Sequence, residues 1–172
     1  SSIKTPEEAI KAFEDSRDRI MSMALLYEKL YESDDCSAVD LREYILDLSN
    51  QLLLSHCPNR NIDFEIETTG IYLDVNMAIP LGLILNELIA NALIHAFPVG
   101  TSGIVKISIA SDNGKWFSLS VSDNGLGLPP DYNSKNTVGL TMVKLLTEQL
   151  EGIITHNVSN GTSFTIGFPK YK

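Results

Sequence analysis

The chain is predicted to fold as an α+β, two-layer sandwich: a mixed, mostly antiparallel sheet with helices on one face, preceded by an N-terminal helical arm. Three observations carry this. Asn113-Gly114 and Asn160-Gly161 each lie between runs that alternate apolar and polar residues, the pattern of a β-hairpin. The run from Leu83 to Phe97 has eleven apolar residues among fifteen, the composition of a helix buried on most sides. Residues 6–32 place Ile10, Phe13, Arg17, Ile20, Ala24, Tyr27 and Tyr31 at alternating three- and four-residue steps, a heptad-like helical seam with one polar interruption at Arg17.

Taken in order, Thr5-Pro6-Glu7-Glu8 opens the first helix with a capping box and Pro at the first helical position. That helix is expected to end near Glu32. Its seam predicts either docking on its own domain or packing against another helix, in a hairpin or across a dimer. Asp40 caps a second helix whose apolar face is Leu41, Tyr44, Ile45, Leu48, Leu52 and Leu53. Cys57-Pro58-Asn59-Arg60 breaks it, and Ile62, Phe64 and Ile66 then alternate with charges as a strand with one solvated face does. Tyr72–Val75 is short and strand-like, the Leu83–Phe97 helix follows, and a hairpin, a helix from Val138 to about Leu150 and a second hairpin complete the chain.

The totals exclude several classes. At 172 residues the chain is about one domain, and its 44% apolar content suffices for a core. A net charge of −9 argues against broad binding to nucleic acid or anionic membrane. Cys36 and Cys57 are too few for a disulfide scaffold, and His56 beside Cys57 reads as a helix-end neighbour, not a metal site. There is no uninterrupted run of about 18 apolar residues and no signal peptide. A reducing, cytoplasmic setting is expected. The opening Ser1-Ser2, without Met, reads as part of a longer protein, whose sensor or membrane anchor would lie outside this sequence.

Chemistry is expected where polar residues sit in apolar surroundings. Glu87, Asn91 and His95 recur every four positions, which puts them on one helical face; a carboxylate and an amide there need partners. Asp123-Asn124-Gly125-Leu126-Gly127 leaves a strand with a carboxylate at its tip and a loop free to approach something flat. It is neither a dinucleotide-binding fingerprint nor a P-loop, since the third Gly and the Gly-Lys-Ser/Thr are absent. Thr137-Val138-Gly139-Leu140 opens a helix whose free amides are a seat for phosphate, with Lys135 the one base in the preceding loop. Gly161-Thr162-Ser163-Phe164 starts the last strand with a hydroxyl pair.

In this order the four pieces resemble the GHKL ATPases (the gyrase, heat-shock chaperone, histidine kinase and mismatch-repair ATPase families), and most closely the catalytic domain of sensor histidine kinases. Asn86–Phe97 looks like the N box, Asp123–Gly127 like the first glycine box, Val138-Gly139-Leu140 like the second and Gly161–Phe164 like the third, over residues ~38–169. Asp15–Tyr31 is similar to the second dimerisation helix of one histidine-kinase subgroup. The resemblance therefore implies a truncated dimerisation unit at 1–35 and an ATP-binding domain at 36–172. It implies ATP and magnesium as ligands, with Asp123 accepting the adenine amine, Thr162 helping through a water, and Gly125 and Gly127 lying against base and ribose. Asn91 would bind magnesium, Glu87 would act as proton acceptor beside the γ-phosphate, and the Val138, Gly139 and Leu140 turn would hold phosphate, with His95 a further lining residue. Implied partners are a phosphoacceptor helix of the same or a partner subunit and a response regulator, with a homodimer through the N-terminal helix. None of His56, His95 and His156 stands in a phosphoacceptor context, so the acceptor is expected on a helix outside this sequence. Two departures stand out. Many N boxes carry Lys where this chain has Ile94, which leaves a phosphate contact missing or supplied by Lys135, and loop 128–137 has no Phe-rich box. Two alternative functions are a serine kinase of the anti-sigma-factor type, which would not need the arm, and a catalytically silent nucleotide-binding or dimerisation module.

Overall fold

The computed structural model describes residues 5–32, 38–68, 70–112, 115–128 and 137–170. Along these run α1 (Pro6–Glu32), β1 (Ala38–Asp40), α2 (Leu41–His56), β2 (Ile62–Thr68), β3 (Tyr72–Asp74), α3 (Val75–His95), β4 (Gly103–Asp112), β5 (Trp116–Asp123), α4 (Val138–Gln149), β6 (Ile153–Val158) and β7 (Thr162–Pro169). The fold class is as predicted. A five-stranded sheet in the order β2-β4-β5-β7-β6 is antiparallel throughout except for β2 and β4, which are parallel. The parallel pair follows from connectivity: α3 lies between those strands and crosses the sheet, as a parallel connection requires.

Period-two alternation decides which face meets the helices. Val105, Ile107 and Ile109 on β4, Phe117, Leu119 and Val121 on β5, and Phe164, Ile166 and Phe168 on β7 are all buried. Their neighbours Ser108, Ser118, Ser120, Ser122 and Thr165 form a half-buried hydroxyl face on the other side. The β6–β7 hairpin turns through Asn160 and Gly161, both at positive φ (54° and 115°). The tip of the β4–β5 hairpin, Asn113-Gly114, lies outside the described residues.

α3 is the axis of the core. Asp74 caps it by accepting from the amides of Asn76 (2.8 Å) and Met77 (3.3 Å). By length and composition it could cross a membrane, but 72% of its most apolar window is buried inside the domain. Leu81, Ile84, Leu85, Leu88, Ile89 and Leu93 are buried among sheet and helices, as expected of a core helix.

α1 docks on its own domain, and by a face other than the heptad-like seam. Asp18, Ser22, Leu26 and Leu30 are buried, whereas Ile10, Phe13, Ile20, Tyr27 and Tyr31 stay exposed. Leu26 and Leu30 contribute roughly 1.5–3 kcal/mol each by burial, more than an exposed ion pair gives. A polar knot sets the seating. The Tyr44 hydroxyl of α2 lies 2.8 Å from Ser22 Oγ and beside Gly82 of α3, where any side chain would strike it. Burial pushes the Tyr44 phenol up to about 12, against the opposing effect of the Ser22 hydrogen bond. His56 Nε2 sits 2.8 Å from Asp18 Oδ2, so this helix-end histidine ties α2 to α1. A short antiparallel pair, β1 with β3, which the sequence reading did not foresee, closes the same end.

Candidate functional site

α3, the loop after β5, the start of β7 and the first turn of α4 enclose a cavity of about 570 Å³. This is within the range of small-molecule sites. Its walls are apolar: Leu88, Ala92 and Ala96 from α3, Val121 and Phe164 from the sheet, Leu126 and Leu128 from the loop and Leu140 from α4. Asn91, His95, Asp123 and Thr162 supply its polar edge. An apolar slot with a few polar groups at its rim suits a flat heteroaromatic ring carrying a charged tail.

Asp123 ends β5, where its register partner is Val105. Its Oδ1 accepts from the backbone amides of Gly125 (2.9 Å) and Thr162 (3.2 Å). No hydrogen bond among the described residues engages Oδ2, and Asp123 lines the cavity. Burial raises the Asp123 pKa above the usual carboxylate range, opposed by those two amide hydrogen bonds. Gly125 does not line the cavity. A methyl there would strike the Ala96 carbonyl and side chain, because the loop leans on the end of α3, where Leu126 N donates to Ala96 O (2.9 Å). In this structure Gly125 packs against the end of α3. Gly127, at φ 76°, does line the cavity.

On α3 the four-residue stripe splits. Asn91 and His95 face the cavity, but Glu87 turns toward α1. Arg19 Nε donates to Glu87 Oε1 (2.7 Å), Arg19 Nη2 to Oε2 (3.3 Å), and Asn86 Nδ2 also donates to Oε1 (3.4 Å). The hydrogen bond to Glu87 is the main reason the Arg19 pKa is raised. Asn91 Nδ2 is buried without a hydrogen-bond partner among the described residues. At the cavity mouth, burial and then the Lys11 cation lower the His95 pKa.

The first turn of α4 completes the site. Thr137 caps it, its Oγ1 accepting from Leu140 N (3.3 Å), so that amide is engaged by the cap. Val138 and Gly139 amides remain at the turn's open end, where the helix dipole favours an anion. Gly139 abuts Glu87: a methyl there would collide with Oε2, so the Glu87 carboxylate rests at the same helix start. Lys135 lies outside the described residues.

Comparison with known proteins fits this geometry. A family model described as "Histidine kinase" matches residues 2–56, and one described as "Histidine kinase-, DNA gyrase B-, and HSP90-like ATPase" matches residues 76–172. The second match spans α3 and every element around the cavity. The chain belongs to this ATPase family. It is a histidine kinase catalytic domain with an N-terminal helical region. Sensor histidine kinase PdtaS of Mycolicibacterium smegmatis is 32% identical over 95% of this chain and 34% of its own length. Blue-light-activated histidine kinase 2 of Erythrobacter litoralis is 28% identical over 86% of this chain and 44% of its own. The chain thus spans well under half the length of these relatives. Among solved structures, the histidine kinase domain of an Erythrobacter litoralis blue-light activated histidine kinase superposes with a TM-score of 0.77 at 23% identity. That match covers 90% of this chain and 74% of the other, and at such identity it is a likeness of fold.

Arg19 is the polar residue at this histidine-kinase site that reading the sequence missed. The signal was present. Lys11, Asp15 and Arg19 repeat every four residues on α1, the same step as Glu87, Asn91 and His95 on α3.

Proposed function

We propose that this chain is the ATP-binding catalytic part of a two-component sensor histidine kinase, transferring the γ-phosphoryl of ATP to a His on a dimerisation helix. The observation that carries it is Asp123. Two amides fix one of its oxygens, the residue lines an apolar slot, and its other oxygen would accept from the exocyclic amine of adenine. Thr162, at the same rim, supports the base, and the triphosphate extends toward the first turn of α4. Val138 and Gly139 amides hold phosphate oxygens there, with Lys135 a candidate further contact.

Asn91 fits a magnesium ligand because it lines the cavity and its Oδ1 has no hydrogen bond among the described residues, and magnesium takes few protein oxygen ligands beside water and phosphate. When bound, the ion would screen phosphate charge. In the transfer the imidazole nitrogen attacks the γ-phosphorus, the bond to the β,γ-bridging oxygen breaks, ADP departs, and Glu87 takes the imidazole proton. We place the boundary between dimerisation and ATP-binding units at residues 35/36, and the domain in the cytoplasm. The exposed α1 seam, Ile10, Phe13, Ile20, Tyr27 and Tyr31, suits a homodimer contact. A response regulator would receive the phosphoryl group, and the net charge of −9 gives no support to a nucleic-acid partner.

The test incubates the chain with magnesium-ATP and a histidine-bearing dimerisation helix. An acid-labile phosphohistidine product, lost in Glu87→Ala and Asn91→Ala, supports the reading. An acid-stable phosphoserine, or tight ATP binding with no transfer to any histidine helix, overturns it.

A further inference from the structure

α1 lies antiparallel along the polar stripe of α3. Ser22 Oγ reaches the Gly82 carbonyl (3.4 Å), Arg19 pairs with Glu87, and Lys11 is close enough to His95 to influence its charge. As the numbers rise along α1 they fall along α3. The pairing at its centre takes both carboxylate oxygens of Glu87 in a two-pronged contact with one guanidinium. Asn86 engages Oε1 as well, and Oε2 is pressed against Gly139. Glu87 is 8% exposed, and Arg19 of α1 lies on its carboxylate together with Asn86 and Gly139.

We propose that Arg19 is an autoinhibitory latch: it holds α1 over the reactive carboxylate, and phosphoryl transfer requires this ion pair to open. The inference rests on the assignment of Glu87 as proton acceptor. A carboxylate that takes a proton from an incoming imidazole needs an oxygen free and an open line of approach, and the docked α1 denies both. The seating also explains how opening can be abrupt. A slide of α1 by one helical turn would bring Asp15 or Met23 opposite Glu87 in place of Arg19. The first repels a carboxylate and the second cannot bond it, so no intermediate register replaces the latch. α1 is also the element that would connect to whatever precedes the catalytic domain, which makes the latch a point where displacement of one helix changes the availability of one carboxylate.

The experiment measures three things on the full chain: hydrogen exchange of α1 amides, ATP affinity, and transfer to a supplied dimerisation helix. Arg19→Gln should speed α1 exchange by roughly tenfold or more, the factor expected from losing a charge-assisted hydrogen bond. Transfer should rise while ATP affinity stays within about twofold. Glu87→Gln, which cannot catalyse, should show the same faster exchange, since either partner's loss opens the pair. Arg19→Lys keeps the charge without the fork and should fall between; it serves if the Gln variant does not fold. Unchanged α1 exchange in the Arg19 and Glu87 variants overturns the latch. So does a parallel fall in ATP affinity and transfer in Arg19→Gln, which would make Arg19 a phosphate ligand. Absence of transfer by both the wild-type chain and Arg19→Gln, with exchange responding as expected, refutes the histidine-kinase reading and, with it, the inhibitory meaning of the contact.

Discussion

Replacing Asp123 by Asn tests the adenine assignment with almost no change in shape. The aspartate uses its two oxygens differently: Oδ1 accepts from Gly125 N and Thr162 N, and Oδ2 is engaged by no hydrogen bond among the described residues. An asparagine has one oxygen. If that oxygen keeps the two backbone amides, the NH₂ group points at the ligand's exocyclic amine, donor against donor. If it flips, two part-buried amides lose their acceptor. Either way one charge-assisted hydrogen bond is lost, worth about 1.5–3 kcal/mol, so ATP binding should weaken by roughly 10–150-fold. Isothermal calorimetry of both proteins with magnesium-ATP measures this directly. The fold should survive, because the substitution removes a charge that burial already disfavours. ATP binding within about twofold of wild type in Asp123→Asn would refute the reasoning.

Three other outcomes follow from the same coordinates. ATP affinity should decline as pH falls through the Asp123 pKa, which burial raises from its ordinary value, because Asp123 must be ionised to accept, as calorimetry across pH would show. Linkage gives the opposite sign for stability: a raised carboxyl pKa means the Asp123 contribution improves as pH falls through that value, which denaturation of the ligand-free protein across pH would show. Leu26→Ala, at 1% exposure, should cost about 2–5 kcal/mol in chemical denaturation, and a loss below about 0.5 kcal/mol would show that docking of α1 does not stabilise the domain. Gly125→Ala should cost about 1–3 kcal/mol by thermal denaturation, because its methyl meets the Ala96 backbone, which cannot swing away as a side chain could.

Local chemistry was legible where a short stretch settles its own conformation. Thr5 accepts from Glu8 N at 3.2 Å, Asp40 accepts from Arg42 N at 2.9 Å, and Asn160-Gly161 makes its turn, each within a few residues of chain. The alternation in β4, β5 and β7 specified the buried face, because a slip of one residue would expose the whole apolar row. Asn91 and His95 were readable as polar residues on one face of an apolar helix, whereas Asp123 and Thr162 were pointed to by the resemblance of their boxes; all four line the cavity.

What the sequence could not decide were choices between comparable surfaces. α1 carries an apolar seam and, on another side, Asp18, Ser22, Leu26 and Leu30; the second, more polar face is the one buried. It wins because α2 and α3 present Tyr44, His56 and Gly82 to match its polar groups, and those partners are distant in sequence. Distance in the chain also hid the β1–β3 pair, the leaning of Gly125 on Ala96 and the turning of Glu87 from the cavity to Arg19. The sequence by itself determined the elements, the inward face of the sheet and the polar residues available for chemistry. The tertiary structure alone decided which of those residues share a cavity and which is held shut, because a carboxylate pairs with the cation that packing delivers to it.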